Sequence, residues 1–454
     1  MTSNGACILK PTIHHRLRHP GRPGTYKKRH TMTETPVETR EEKSRARKAV
    51  FAAGLGNALE WYDIILFGFM ATSITAVFYP GEGLSAQLMT WATFAITFVV
   101  RPLGAILIGR YSDKHGRKAA LSLTIGLMTL GVFIIVVLPG EATIGVWASI
   151  GLIIARIIQG ISAGGEFGSA TAFLTENAKR GKAYYASFQT ATQGISMFLA
   201  AGVSWIFSSA LSEEALHSWG WRVAFALGLL IGPVGWYIRS KMDDTPEFEA
   251  AEKTDNPLRV LLGEHFGRLF SAFLIIAMAT ISVYLITFLP QFAVGNLGLE
   301  PWAAFPGAVV AGLITLIGAP FAGRLADRVG PTTVMIPTTI VGIIVAWPMF
   351  ILLTANPSIG VLTLCEAIVG LFMVFYFGPM PALLSELFPV KVRSSGMTIA
   401  YSFGVAIFGG FAPLILTALL GATGLLTVPG FYYAGLSLLS LIGVIMARKL
   451  YSQR

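Results

Sequence analysis

Apolar residues in this chain do not alternate with polar ones at helical or strand spacing; they come in long unbroken runs. About 20 mostly apolar residues are needed for a helix to cross a bilayer, and the chain after Lys48 divides into twelve such runs, at about 50–78, 86–109, 119–138, 144–171, 183–208, 222–239, 269–293, 303–323, 332–354, 358–381, 396–420 and 429–447. The pattern predicts an all-α integral membrane protein with twelve transmembrane helices. The connections are short except for residues 240–268, a charged stretch with Asp243, Asp244, Glu247, Glu249, Glu252, Lys253 and Asp255 that separates six spans from six. A soluble helical solenoid would need a polar face on every helix, and these runs have none.

Composition agrees. Of 454 residues, 54% are hydrophobic and only 13% charged, with a mean hydropathy of +0.65, against roughly 25% charge in an ordinary soluble domain. The net charge of +10 is concentrated in the tail, residues 1–48, where twelve Lys and Arg face four Glu; the remainder is nearly balanced. That location argues against nucleic-acid binding. The tail lacks the apolar core of a secretory signal and reads as a disordered extension, a basic arm on an anionic membrane surface or an Arg-rich transit peptide, with Met32 a natural alternative start. Two distant cysteines, Cys7 and Cys365, imply no disulfide framework and no Cys-based metal site.

Orientation follows from the positive-inside bias. The even-numbered connections hold Arg110, Lys114, Arg117 and Lys118; Lys179, Arg180 and Lys182; Lys241, Lys253 and Arg259; Arg324 and Arg328; and Lys391 and Arg393, while the odd-numbered ones hold none. Both termini are therefore expected in the cytoplasm, and residues 448–454 form a short cytoplasmic tail.

The chain also repeats itself. Gly109-Arg-Tyr-Ser-Asp113-Lys-His-Gly116-Arg117-Lys118 follows span two, and Gly323-Arg-Leu-Ala-Asp327-Arg328-Val-Gly330 follows span eight, 214 residues later. Glu176 ahead of Lys179-Arg180-Gly181 is matched, 210 residues on, by Glu386 ahead of Lys391-Val-Arg393. Two motif pairs at nearly one spacing imply two homologous six-helix halves, 49–239 and 269–447. At these motifs the chain resembles the major facilitator superfamily, from about Ala49 to its end. The second copy departs from the pattern at Pro331 and Thr332, where Arg and Lys would follow. An aspartate at such a loop can accept hydrogen bonds from the free N–H groups of a helix N-terminus. The resemblance implies that Asp113 does so on span eleven, locking the halves on the cytoplasmic side, with Arg117 orienting it, and it makes Gly109, Gly116, Gly323, Asp327, Arg328, Glu176, Glu386 and Arg393 parts of that lock.

Charges inside apolar spans are costly and by default functional. Here they are Glu60 and Asp63 in span one, Arg101 in span two, Arg156 and Glu166 in span four, Arg222 at the start of span six and Glu366 in span ten. Their settings, Gly56-Asn57-Ala-Leu-Glu60-Trp61-Tyr62-Asp63, Arg101-Pro102-Leu-Gly104, Arg156-Ile-Ile-Gln159-Gly160, Ser162-Ala-Gly164-Gly165-Glu166 and Trp219-Gly-Trp221-Arg222, resemble the metabolite:proton symporters, whose members carry citrate, 2-oxoglutarate, shikimate, proline and betaine. Ala406-Ile-Phe-Gly409-Gly410-Phe-Ala-Pro413 and Trp347-Pro348 look most like the citrate and tricarballylate carriers.

Glu60 and Asp63 lie three apart, on one helix face, and two carboxylates so close in low dielectric should not both stay ionised unless cations are near. In related symporters an acid on span one and an arginine on span four form a pair that opens on protonation. The resemblance thus implies Asp63 as proton site, Arg156 as its partner and Glu60 as tuner, beside the plainer reading of a structural salt bridge. Glu366 sits at the repeat position of Arg156 and reads as a second proton carrier, or as an acid facing Arg222 or a polar cavity. With no lysine in the spans, a carboxylate substrate would need Arg101 or Arg156; Arg101 could instead sit at the inner rim with Glu166. Asn57, Tyr62, Gln159, Gln189, Gln193, Tyr284, Gln291 and Tyr376 are candidate uncharged lining, each equally able to serve helix–helix hydrogen bonding. No nucleotide-phosphate motif, His/Cys metal set or soluble catalytic domain is present, so an enzyme is excluded and an ion gradient is the expected energy source, without cofactor. The expected function is import of a citrate-like di- or tricarboxylate by proton symport in an inner membrane, by a monomer. The alternatives are symport of a zwitterion such as proline or betaine, and a non-transporting nutrient sensor.

Overall fold

The computed structural model describes Gly54 and residues 57–79, 81, 83–115, 117–164, 166–176, 178, 180–230, 232–233 and 257–453. All fall in one compact unit, Glu38–Arg454; the other unit, Met1–Val37, lies outside the described residues, as does the rest of the expected tail.

Every regular element among the described residues is helical. Helix α1 is Asn57–Phe69 continued by Ala71–Phe78 after a bend of 70°, and α2 is Leu84–Val99 continued by Arg101–His115. Next come α3 (Arg117–Val137), α4 (Trp147–Ala163 continued by Glu166–Glu176), α5 (Lys182–Ala210) and α6, whose described part begins as Trp221–Leu229. The second series is α7 (Phe266–Leu297), α8 (Pro306–Val329), α9 (Pro331–Ala355), α10 (Ile359–Leu387), α11 (Val390–Thr423) and α12 (Val428–Leu450). Nine of these are long and apolar enough to cross a membrane and the bent α1 makes a tenth; α3, with its shorter apolar stretch Ser122–Val137, and α6 complete the twelve.

Local chemistry sets the ends. Proline occupies the first turn of α8, α9 and α12, where its missing N–H costs nothing. Glycines with positive φ stop α7 at Gly298 (71°), α8 at Gly330 (91°) and α11 at Gly424 (66°). Three features differ from the sequence expectation. The segment expected as a connection at 240–268 contains a short helix, Pro257–Glu264, residues 234–256 lying outside the description, and α7 starts at Phe266 rather than 269. Also, α10 and α11 pass through π turns at Met373–Phe377 and Val405–Gly410, which hydropathy cannot register because composition is unchanged by one extra residue per turn.

Small residues determine which helices meet. The most extensive interface joins α5 to α8. There Gly194 and Gly312 face each other: a Cβ on Gly194 would lie 2.5 Å from the Leu316 nitrogen, and one on Gly312 2.5 Å from the Phe198 nitrogen. Helices in lipid gain by such close approach because there is no hydrophobic drive between them. The repeat-related contact, α2 with α11, brings Leu84 against Gly421 and Phe98 against Gly410. Gly104, Gly160 and Gly164 let α2 and α4 touch backbone to backbone, which places Arg101 and Arg156 inside the bundle. Almost all of α7 from Ser271 to Ala293 is buried, as is α1 from Leu59 to Ala71, so apolar residues lie all round both helices for a packing reason.

Replacing Gly194 by leucine should force α5 from α8 and lower stability by about 1–3 kcal/mol, read as a lower unfolding midpoint in detergent. Gly202→Leu, on the same helix but with open space around it, should leave the midpoint unchanged; equal effects would contradict the packing account.

Candidate functional site

The α1 face carrying Glu60 and Asp63 meets the two buried arginines, one acid to each. Asp63 Oδ2 accepts from Arg156 Nη1 at 2.7 Å, with side-chain exposures of 2% and 1%. Arg101 Nη2 donates to Glu60 Oε1, again almost wholly buried. Two pairs therefore stand side by side where the spacing of the acids on α1 suggested one crowded carboxylate pair. Glu60 is bound to Arg101, which is buried rather than at a rim. Glu166 lines a small cavity shared with Leu59, Glu60, Thr124, Ile125, Met128 and Ser162, so it lies beside Glu60.

Each arginine is further fixed. Arg156 donates to Gln159 Oε1 at 2.6 Å and stacks its guanidinium 3.8 Å from the Phe67 ring centroid, while Arg101 lies 5.0 Å from that of Phe98. Both contacts favour a cation in a desolvated place. Yet the donor sets are unfilled: Arg156 Nε and Nη2, Arg101 Nε and Gln159 Nε2 are buried with no hydrogen-bond partner among the described residues, as is Asp63 Oδ1. Buried polar groups are normally satisfied, and exceptions call for a reason.

On α7, Tyr284, Phe288 and Gln291 share a face and meet Trp91, Phe94 and Phe98 of α2, with ring centroids 5.3 Å apart for Phe98 and Tyr284 and 6.0 Å for Trp91 and Phe288. Trp61 of α1 joins at 6.3 Å from Tyr284. The Tyr284 hydroxyl, Trp91 Nε1 and Gln291 Oε1 are likewise buried without partners. Tyr284 and Tyr401 lie within electrostatic reach of the Arg101–Glu60 pair, and Gln193 lies beside Tyr401. A Cβ on Gly409 would fall within the Tyr284 ring's van der Waals radius, at 2.6 Å from Cδ2, so the glycine pair of α11 is the seat of this aromatic group. Sequence reasoning missed the ring cluster because aromatic residues in an apolar run carry no distinguishing signal; the Gly-Gly pair was the trace it left.

Other expected lining residues are spent elsewhere. Tyr62 donates to the Ala224 carbonyl at 2.9 Å and Tyr376 to that of Ile275 at 2.7 Å. Asn57 binds the Gln189 carbonyl and Thr192 while accepting from Trp61, and Gln189 accepts from Thr171. These four hydrogen-bond between helices. Glu366 is buried on α10 against Gly307; it does not face Arg222, whose guanidinium binds the Ser218 and Leu138 carbonyls.

At the other end of the bundle, Asp327 accepts from the backbone N–H groups of Ala183 and Tyr184, each at 2.9 Å, at the start of α5. Gly323, one turn earlier, leaves room for the Ala183 carbonyl, which a Cβ would meet at 2.6 Å. Pro331 and Thr332 begin α9, as Arg117 and Lys118 begin α3. Glu386 lies within electrostatic reach of Lys182, Asp327 and Arg393, and Arg328 is exposed. Gly109 has open space around it. Gly116 and the side chains of Asp113, Arg117 and Glu176 lie outside the described residues. Among the described residues no group of three or more His, Cys, Asp or Glu could hold a metal ion.

Comparison with known proteins places this architecture. The family model described as Major Facilitator Superfamily matches residues 64–413 and 308–453. A citrate-proton symporter of Klebsiella pneumoniae is 36% identical over 85% of this chain and 88% of its own length. A proline/betaine transporter of Salmonella typhimurium is 31% identical over 88% and 82%, and an inner membrane metabolite transport protein of Escherichia coli strain K12 34% over 92% and 97%. The crystal structure of a D-xylose-proton symporter superposes with a TM-score of 0.70 over 89% of this chain and 97% of that one, at 18% identity. The chain, a multi-pass membrane transporter and not an enzyme, belongs to the major facilitator superfamily.

Proposed function

We propose that this chain imports a small di- or tricarboxylate, of the citrate kind, by proton symport. It works as a monomer in a bacterial inner membrane with both termini in the cytoplasm, and the proton gradient is its only energy source, with no cofactor. Alternating access is a rocking of halves 49–239 and 269–447 about the α1–α2–α4–α7 centre, joined by residues 240–268. The observation that carries the reading is the pair of buried arginines that hold one acid each and keep N–H donors in reserve. An arginine's fork of donors suits a second carboxylate, and similarity to citrate-proton symporters points the same way.

The coupling follows from electrostatics. A substrate carboxylate that takes over the Arg156 donors weakens the bond to Asp63, and an acid buried without its cation takes up a proton rather than remain charged. Conversely, protonation of Asp63 frees Arg156 for the substrate. The two bindings favour each other by one coupling free energy, so neither ligand crosses alone. Arg101, held by Glu60 and flanked by Tyr284 and Tyr401, supplies the second cationic contact, and the orphaned Trp91, Tyr284 and Gln291 groups serve the substrate's hydroxyl and remaining carboxyl oxygens. Asp327 on the α5 N-terminus is the cytoplasmic latch that must release before inward opening. One observation favours a second reading: the Trp61, Trp91, Phe94, Phe98 and Tyr284 rings would suit a quaternary ammonium group, as on a zwitterion such as betaine.

Proteoliposome uptake of labelled citrate, 2-oxoglutarate and betaine under an inward proton gradient decides between them. Citrate accumulation that Asp63→Asn abolishes is the expected result; betaine uptake without carboxylate uptake would overturn the carboxylate reading. Removing one member of a buried pair leaves the other charge uncompensated, at about 3–5 kcal/mol. Asp63→Asn or Arg156→Gln alone should therefore lower the unfolding midpoint, and the double variant should recover most of it while remaining unable to accumulate substrate. Equal midpoints for singles and double would contradict the pairing. Asp327→Ala removes a cap worth about 1 kcal/mol, a population shift of roughly fivefold. Spin labels at positions 180 and 328, in a background lacking Cys7 and Cys365, should report a larger share of long distances between α5 and α8.

A further inference from the structure

Glu366 is a buried acid that the mechanism above does not use. It is 0% exposed, and both carboxyl oxygens are without a hydrogen-bond partner among the described residues. It lies seven residues into α10, about 10 Å along that helix, and its carboxyl rests on the bare backbone of Gly307 in the first turn of α8, in space that any Cβ at Gly307 would fill.

Among the described residues no side-chain cation is within reach. The elements packed against this part of α10 are α7, α8, α9, α12 and the turn Pro301–Ala304. The charges of α8 are Arg324, Asp327 and Arg328, the first lying 17 residues beyond Gly307, about 25 Å along the helix. Arg268 of α7 is held at the Leu387 carbonyl, Arg448 and Lys449 close α12, and α9 has no charged residue. The remaining titratable groups on these elements are Tyr284, Tyr432, Tyr433 and, just ahead of the turn, Glu300; α10 itself carries Tyr376, Glu386 and, beside Glu366, Cys365, whose thiol donates to the Met349 carbonyl at 3.7 Å. A carboxylate stripped of water with no counter-ion neutralises instead. The positive feature nearby among the described residues is the α8 N-terminus, whose free N–H groups could hold the ionised form once the carboxyl shifts off Gly307.

We propose that Glu366 is a second proton-binding site, in the C-terminal half, which holds a proton while the first turn of α8 is packed on α10 and exchanges it when they part. It stands 210 residues after Arg156, the same spacing as Glu176 and Glu386, so the two halves place an ionisable group at the same position of the repeat. The inference rests on the proton-coupled reading.

Infrared spectra of the protein in liposomes, wild type against Glu366→Gln, test the first half of the proposal, and dye-reported proton uptake by the purified protein after an acid pulse, started from an alkaline pH at which the protonated-carboxyl band is lost, tests the second. A protonated-carboxyl band present in wild type and absent in Glu366→Gln, together with one proton fewer bound per chain in that variant and recovery of both in Glu366→Asp, is the expected result. Superimposable spectra would mean an ionised Glu366, and an unchanged proton count would mean an acid that never exchanges; either overturns the proposal. Because glutamine mimics the neutral acid, Glu366→Gln should keep the wild-type unfolding midpoint, and a large fall would itself point to an ionised group. Neither measurement uses a substrate, so failure of the citrate reading leaves this test standing.

Discussion

A charge placed inside a bilayer has to be paired, neutralised or put to use, and that constraint organises this protein. Four buried charges at its centre resolve into two acid–arginine pairs, Asp63 with Arg156 and Glu60 with Arg101. Each pair joins α1 to a different helix, so α1, α2 and α4 are tied at one level. Taking such charges out of water costs several kcal/mol per ion even after relaxation, and a well-packed apolar core would be as stable. Pairs that keep unsatisfied N–H donors are a poor way to stabilise a bundle and a good way to hold one ready for an anion.

The helix packing serves the same end. Glycines on α5 and α8 let that interface close to backbone contact, while Gly410 and Gly421 of α11 receive the Phe98 and Leu84 side chains of α2. The α5–α8 backbone contact can part and re-form at low cost, whereas a knob-in-hole interface of large side chains has to be unpacked. The Asp327 contact with the start of α5 adds a directional hold at one end. It is made of backbone N–H groups that are free at any helix start, so little has to be rearranged when it breaks.

Much of this was legible in the residues, for physical reasons that differ from case to case. Twelve spans could be read because twenty apolar residues have few other uses, and the repeat because Gly323 and Asp327 must sit one turn apart to meet a helix end. The charged residues of the spans stood out because few charges occur in lipid, and the resemblance to known symporters then joined Asp63 to Arg156. The partner of Arg101 was not legible, since residue counting gives depth along a helix but not the closeness of α2 to α4, which Gly104, Gly160 and Gly164 set. Tyr62, Tyr376, Asn57 and Gln189 were indistinguishable from ligand groups because a polar side chain in an apolar helix can serve a neighbouring helix equally well, as these do. The aromatic cluster and the π turns of α10 and α11 left no pattern in hydropathy.

The central claim is that anion binding and protonation are one event at the Asp63–Arg156 pair. Calorimetric titration of the purified protein with citrate in two buffers of different ionisation enthalpy measures it directly, because the difference in heat counts the protons exchanged on binding. The account predicts net proton uptake by wild type on citrate binding, and its loss in Asp63→Asn. Citrate binding with no proton uptake, or with uptake unchanged in Asp63→Asn, would contradict it.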